Sequence, residues 1–248
     1  MTTTADARPA NAPGLKLDVG CGELKREGFV GVDILDVADY RCDIANDPLP
    51  FEDNSVSHIF SSHCLEHIPP AQMGHVFREF TRVAHDEALL ELWHPFSMHR
   101  DAFIWDHKTF LNEEHYYHIA YRYPSHWEPL IGGRWILEEV RYNLEPPVLA
   151  DLMARGVDLE FAVNYLHSVV RELGVSIRVR KTPVQDPVPL FRRTIYAGPR
   201  DHPFRVLGRG PYSPSPGVQF PALTIKQASR ALGRAVARRL PAVPGRRP

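Results

Sequence analysis

No apolar run in this 248-residue chain approaches the roughly 20 residues that a membrane-spanning helix needs. Residues 1–14, MTTTADARPANAPG, lack the apolar centre of a signal peptide and read as a short disordered lead. Only three cysteines are present, Cys21, Cys42 and Cys64, without paired spacing, which argues against a disulfide framework and suits a reducing cytoplasm. Glycine is missing where a dinucleotide fingerprint requires it. Counting G-x-G-x-x-G from Gly20 puts the third glycine at position 25, which is Lys25, so a nicotinamide oxidoreductase is a distant alternative.

What is present is an ordinary globular composition, 44% hydrophobic, with an asymmetry hidden under a net charge of −1. From Arg200 onward there are ten Lys or Arg and one acid, so an acidic body of about −10 carries a basic tail of about +9. The tail, residues 200–248, opens on the proline-rich GRGPYSPSPG. It continues into LTIKQASRALGRAVARRL, whose apolar and basic residues fall on opposite sides of a helix. Such a helix suits docking on the acidic body or a second subunit, with peripheral membrane or polyanion contact as the alternative.

The most informative stretch is LKLDVGCGELKREGFVGVDI, Leu15 to Ile34. Leu15, Leu17 and Val19 read as a buried strand that ends in the bend Gly20-Cys21-Gly22, where Cys21 supplies the small residue the turn wants. A second strand, Phe29 to Val32, ends on Asp33. Glycines after one strand and an acid after the next describe a nucleotide-type site at the carboxyl edge of a parallel sheet, with the acid placed for ribose hydroxyls.

This stretch resembles the S-adenosylmethionine (SAM) site of class I methyltransferases, small bacterial members of type 11 in particular. In that family an acid and a G-x-G turn close the first strand, here Asp18, Gly20 and Gly22, and an acid closes the second, here Asp33. The resemblance runs from Leu15 to about Pro95. Asp43 and Ile44 are similar to the adenine-contacting acid and its apolar neighbour, Leu49 to Ile68 to the fourth strand and its turn with Ser61 near the cofactor, and FREFTRVAHDEALLELWHP to the following helix and strand. It implies a Rossmann-like, doubly wound, mostly parallel seven-stranded α/β sheet over residues 15–199. One departure is plain: Leu24 stands where the family's third glycine would be, and eight residues between Gly22 and Gly31 leave no room for an ordinary first helix of about 11 residues. Lys25 or Arg26 is then expected to replace the helix end as partner of the methionine carboxylate.

Along the chain, strands are expected at Tyr40–Cys42, Ser57–Ser61 and Ala88–Trp93, with a helix from Pro70 carrying Met73, Val76, Phe77, Phe80 and Val83 on one face. Residues 94–143 break the alternation, holding six of the 13 histidines and eleven of the 25 aromatics. They read as a lid over the pocket, in which Trp105, Trp127 and Trp135 can stack on sugar rings or flat ligands; a small aromatic core or a dimer contact is the alternative. Helices follow at Pro147–Arg155 and Leu159–Leu173, then an antiparallel closing pair, Val175–Val179 and Arg193–Ala197.

His63-Cys64-Leu65-Glu66-His67 has the spacing H-x-x-E-H, which on a helix can chelate zinc in an inverted zinc peptidase. Similar S-S-H-x-L-E-H segments occur in the methyltransferases, and there His63 and His94 fall at the ends of the fourth and fifth strands. Either can remove a hydroxyl proton during in-line methyl transfer. Asp101, Asp106 and His107 offer ligands for a divalent ion such as magnesium. The expected activity is SAM-dependent O-methylation of a polar small molecule, a saccharide or oligosaccharide by preference, similar to actinobacterial enzymes that methylate mycobacterial polysaccharides. A natural-product, lipid or amine acceptor, a zinc hydrolase and a non-catalytic SAM-binding protein remain alternatives. SSHC stands where an N-P-P-Y turn would be, which lowers the nucleic-acid option.

Overall fold

The computed structural model describes residues 14–197; the expected lead up to residue 13 and the basic tail lie outside the described residues. Eight strands form one sheet in the order β3-β2-β1-β4-β5-β7-β6-β8. They are β1 (Leu15–Val19), β2 (Val30–Asp33), β3 (Tyr40–Arg41), β4 (Val56–Ser62), β5 (Ala84–Pro95), β6 (Arg134–Leu144), β7 (Val170–Arg180) and β8 (Arg192–Ala197). Every neighbouring pair is parallel except those made by β7, which runs antiparallel between β5 and β6. The mostly parallel α/β sheet is therefore present, with one strand more than expected.

The extra strand comes from the segment read as a lid. β6 occupies its last residues because Trp135, Leu137, Val140 and Tyr142 are buried against β7, and Trp135 packs on Phe77 of α1 (Pro70–Val83) at 4.9 Å between ring centroids. Its indole donates to Thr81 Oγ1 at 2.9 Å, so Trp135 is a core residue rather than a ligand platform. The helix expected to Leu173 stops at Tyr165, and the chain pairs as β7 from Val170. Leu166, Val169 and Leu173 fit helical spacing, but Leu173, Val175, Ile177 and Val179 are all buried at spacing two, and strand pairing on both sides decides. The two last strands do not pair with each other, since β6 lies between them.

Alternation sorts the sheet into two unlike faces. Leu17, Val19, Val32, Ile59, Leu90, Leu92, Val140, Val175 and Ile177 share one apolar cluster with buried residues of α1, α2 (Glu113–Tyr117), α3 (Pro124–Ile131), α4 (Pro146–Ala154) and α5 (Leu159–Tyr165). Each described α-helix thus contributes to the same layer, and α1 follows from its stripe, its proline start and its buried Met73, Val76, Phe77, Phe80 and Val83.

The other face carries Asp18, His58, Phe60, Glu91, Trp93, Ser176 and Arg141 in register. Side chains cover it where a doubly wound sheet would have helices. The Arg26 guanidinium lies 4.5 Å from the Phe60 ring centroid and that of Arg141 lies 4.7 Å from Trp93. Glu91 ties them together: it accepts from Trp93 Nε1 at 3.1 Å and Arg141 Nη2 at 3.3 Å, and lies 3.6 Å from both His58 Nε2 and Arg26 Nη1. Gly174 makes room for Trp93, whose ring would be 2.6 Å from a β-carbon there. No described helix is long and apolar enough to cross a membrane.

Candidate active site

The carboxyl ends of β1, β2, β4 and β5 converge, and the connections leaving them build the site. After β1 the chain bends at Gly20, whose amide donates to Val32 O at 2.8 Å and whose φ of +74° favours glycine. A β-carbon on Gly20 would sit 2.3 Å from Cys64 Cβ, whereas one on Gly22 would meet nothing within 4 Å. The bend is thus closed toward the turn after β4 and open at Gly22. Asp33 closes it from β2: Oδ2 accepts the Gly22 amide at 2.8 Å and Oδ1 accepts the Leu35 amide at 3.0 Å.

Asp18 is buried beneath this bend and accepts the Arg26 amide at 2.7 Å. Burial pushes its carboxyl up to about 6, against the lowering effect of that hydrogen bond and of the Arg26 charge. Cys21 is buried beside Gly31. Asp43 organises its own turn, accepting from the Ala45 amide at 3.1 Å and Asn46 Nδ2 at 2.8 Å, with Ile44 buried behind it. Ser61 is buried inside the sheet.

No helix forms between β1 and β2, as the short spacing demands. Lys25 and Arg26, expected to partner a ligand carboxylate, are engaged within the chain: Lys25 Nζ pairs with Asp39 at 2.6 Å, and Arg26 lies on the Phe60 face of the sheet. The loop's long side chains are occupied in covering the surface that a first helix would have covered.

After β4, His63 adopts a left-handed backbone with φ of +54°, an uncommon conformation outside glycine and one found at functional turns. Its ring lies between two buried carboxylates, with Nδ1 3.1 Å from Glu66 Oε1 and Nε2 2.8 Å from Glu172 Oε1. Asn143 Nδ2 donates to the other Glu172 oxygen at 3.0 Å. Burial pushes the Glu66 carboxyl up, but the hydrogen bond and charge of His63 outweigh it and hold Glu66 below the usual range. Sequence reasoning missed Glu172 and Asn143, which lie 109 and 80 positions beyond His63; reading Val170–Val179 as one strand would have brought Glu172 to this edge.

His94 is differently placed. It is fully buried and stacks on Tyr116 with centroids 5.8 Å apart, and its Nδ1 is held to Pro95 O at 2.9 Å. Burial lowers it to about 4, against the Pro95 hydrogen bond and the Glu66 charge, so the ring is neutral at pH 7. A hydroxyl arriving from solvent cannot reach it in this arrangement, and His63 is the histidine at the accessible edge.

The H-x-x-E-H ligands do not converge. Leu65–His67 is a single 3₁₀ turn; His63 turns to Glu172 while His67 Nδ1 turns to Asp106 Oδ2 at 3.3 Å. That arrangement removes the inverted-peptidase geometry. Nor do Asp101, Asp106 and His107 form a ligand set, because Asp101 faces His99 and Arg171 at 3.5 and 3.6 Å. Of the three tryptophans assigned to ligand stacking, Trp105 is wholly exposed beside the exposed Phe103 and Ile104, and Trp127 is half-buried with its indole donating to His118 Nδ1 at 3.0 Å. A separate cleft of about 220 Å³, lined by Glu113, Glu114, Tyr117, Asn164, Phe191 and Arg193, shares no residue with the glycine bend.

Residues 17–91, from the bend-forming strand through β5, match the profile of a family described as methyltransferase domain. That match spans about a third of the chain, so residues 17–91 are similar to a methyltransferase domain. No curated protein matches the chain. Among solved structures, a SAM-dependent methyltransferase from Archaeoglobus fulgidus is similar at 15% identity, with 68% of this chain and 87% of that one covered and a TM-score of 0.48. A SAM-dependent methyltransferase from Mesorhizobium loti is similar at 14% identity over 68% and 93%, with a TM-score of 0.40. Phosphoethanolamine N-methyltransferase 2 from Haemonchus contortus, in complex with SAM, is similar at 14% identity over 70% and 50%, with a TM-score of 0.38. Ligands of open parallel sheets sit at the carboxyl edge of the strands, and the residues at the edge of β1 and β2 fit a nucleoside: an open Gly22, a carboxylate beside it and small residues in the bend.

Proposed function

We propose that the chain transfers a methyl group from SAM to a hydroxyl of a polar small molecule, with a saccharide the preferred acceptor. Asp33 takes the ribose hydroxyls, the backbone of Gly20 to Gly22 borders the ligand, and Asp43 with Ile44 flanks the adenine. SAM supplies an electrophilic methyl on a sulfonium, so the protein's task is alignment and removal of one proton. The observation that carries the reading is His63 between Glu66 and Glu172 at the end of β4, on the same sheet edge as the glycine bend. Two carboxylates facing both ring nitrogens complement an imidazolium. When an acceptor hydroxyl replaces Glu172 at Nε2, the ring takes its proton and Glu172 stays beside the new charge, steadied by Asn143.

The saccharide preference is supported by Trp105, Phe103 and Ile104, whose exposed apolar faces follow β5 and suit stacking on a sugar ring. The acceptor-facing part of the proposed lid is thereby narrowed to the stretch between β5 and α2, since α2, α3 and β6 contribute to the core.

The test is paired. S-Adenosylhomocysteine binding is measured by calorimetry, and tritiated-methyl transfer is measured over a panel of neutral, acidic and amino oligosaccharides, with Asp33→Ala, His63→Ala and Glu172→Gln beside the unaltered chain. Loss of Asp33 is expected to weaken binding at least ~10-fold, one charge-assisted hydrogen bond's worth. The other two variants should keep that affinity and lose ~10²- to 10⁴-fold in turnover, the usual range for a general base. Absence of any S-adenosylhomocysteine binding refutes the cofactor assignment, and full turnover in His63→Ala refutes the base.

A further inference from the structure

Beside the methyl-transfer edge, Glu66, His67 and His107 bring one ligand atom each to within 4.8 Å of one another. Two of these residues belong to the turn after β4, and the third comes from the segment after β5. Backbone contacts hold those segments together: the Lys108 and Thr109 amides donate to Glu66 O at 2.7 and 3.1 Å, and Thr109 Oγ1 donates to Ile68 O at 2.6 Å. The juxtaposition is therefore part of the fold and does not depend on surface side chains drifting together.

The hydrogen bonds of the two imidazoles are arranged as a metal requires. His107 Nδ1 lies 3.2 Å from Ala102 O, and His67 Nδ1 lies 3.3 Å from Asp106 Oδ2 and 3.4 Å from Asp106 O. All three partners are acceptors, so each Nδ1 serves as the donor and Nε2 is the ring nitrogen left to meet a ligand. The rings meet edge to face with centroids 4.9 Å apart. Glu66 is 2% exposed; Oε1 lies 3.1 Å from His63 Nδ1, while Oε2 has no hydrogen-bond partner. A buried carboxylate oxygen with unfilled acceptor capacity beside two imidazoles is costly to keep and matches what a cation would satisfy. His67 and His107 are both half-buried, which leaves a path from solvent.

We propose that Glu66, His67 and His107 bind a divalent transition metal of the zinc class, with Asp106 orienting His67 from behind. Two imidazole nitrogens and one carboxylate suit zinc rather than magnesium, which prefers an all-oxygen set, and they leave a fourth position for water. This is not the H-x-x-E-H pairing of the sequence motif, since His63 faces Glu172 and the second imidazole comes from the segment after β5. The ion would fasten the start of that segment to the turn after β4 and fix Glu66 against His63. The inference stands without the methyl-transfer reading, and its readout needs no turnover.

Full-length protein is stripped with a chelator and titrated with cobalt(II), followed by its visible ligand-field absorption, then back-titrated with zinc. One equivalent of cobalt is expected to give a four- or five-coordinate spectrum that zinc displaces, with a zinc-dependent rise in melting temperature. His67→Gln with His107→Gln should abolish the spectrum and weaken zinc at least ~100-fold, and Asp106→Asn should weaken it ~10- to 100-fold as an outer partner does. His99→Gln and His126→Gln should match the unaltered chain. Circular dichroism of each variant separates ligand loss from unfolding; where the double variant does not fold, Asp106→Asn alone carries the comparison. An octahedral spectrum, zinc binding unchanged by the ligand substitutions, or equal weakening by the control histidines overturns the site.

Discussion

Replacing Glu91 with glutamine tests whether paired charges secure the helix-free face of the sheet. Burial pushes the Glu91 carboxyl up, but the contacts of His58, Arg141, Trp93 and Arg26 reverse this and hold it at about 2, against an ordinary 4.5. A carboxyl lowered in the folded state adds stability that is fully present above its unfolded value and is lost as pH falls through the folded one. Linkage over that interval gives about 3 kcal/mol at pH 7, falling to about 2 kcal/mol at pH 3.5. The glutamine variant keeps the shape and the acceptor for Trp93 while removing the charge that Arg26 and Arg141 share. Urea unfolding of both proteins at the two pH values, followed by tryptophan fluorescence and circular dichroism, should show a gap that narrows by about a third on acidification. A pH-independent gap, or one under about 0.5 kcal/mol at pH 7, would refute the assignment of Glu91 as the hub.

Two further substitutions or labels probe the glycine bend and its surroundings. Gly22→Ala should cost only the left-handed backbone, about 1 kcal/mol, whereas Gly20→Ala also drives a methyl into Cys64 and should cost more than about 3 kcal/mol in urea unfolding; equal losses would mean that the bend can shift away. Burial together with neighbouring carboxylates pushes the Cys21 thiol up to about 12 and that of Cys42 to about 11, and burial with the Glu66 charge raises Cys64 further. Iodoacetamide at pH 8, read by mass spectrometry, should therefore modify Cys21 about a thousandfold more slowly in the native chain than in urea, with a thiolate fraction near 10⁻⁴, and Cys64 more slowly still. Native labelling within tenfold of the unfolded rate at either residue would overturn those environments.

Much of the parallel half of the fold was legible because its signals are local. Leu17 and Val19 before Gly20, Val32 before Asp33, and the stripe of α1 each specify an element from a few neighbouring residues. The later half was not, because Leu166 to Leu173 satisfies two periodicities at once and Trp135 looks the same in a lid as in a core. Those ambiguities are settled by β7 inserting between β5 and β6, a long-range pairing that leaves no mark on either segment alone. The site divides along the same line. Gly20, Gly22 and Asp33 meet as their spacing suggests, while Glu172 and Asn143 reach His63 only through that insertion. Lys25 and Arg26 are expected at a ligand because the loop lacks a helix, yet in the absence of that helix Lys25 packs on Gly31 and pairs with Asp39 while Arg26 covers Phe60.

A sheet lined with hydrocarbon on one surface and with coupled ions on the other answers to its surroundings through two separate channels. Cosolutes that are excluded from protein surfaces tighten the first, while simple electrolyte slackens the second by shortening the reach of each charge. Warming weakens the water shell that competes for Arg26, Glu91 and Arg141 and so shifts the balance toward their mutual attraction. The two layers of this molecule would therefore part company under changing salinity and temperature, and the strands between them, which also carry the glycine bend and His63, would feel both.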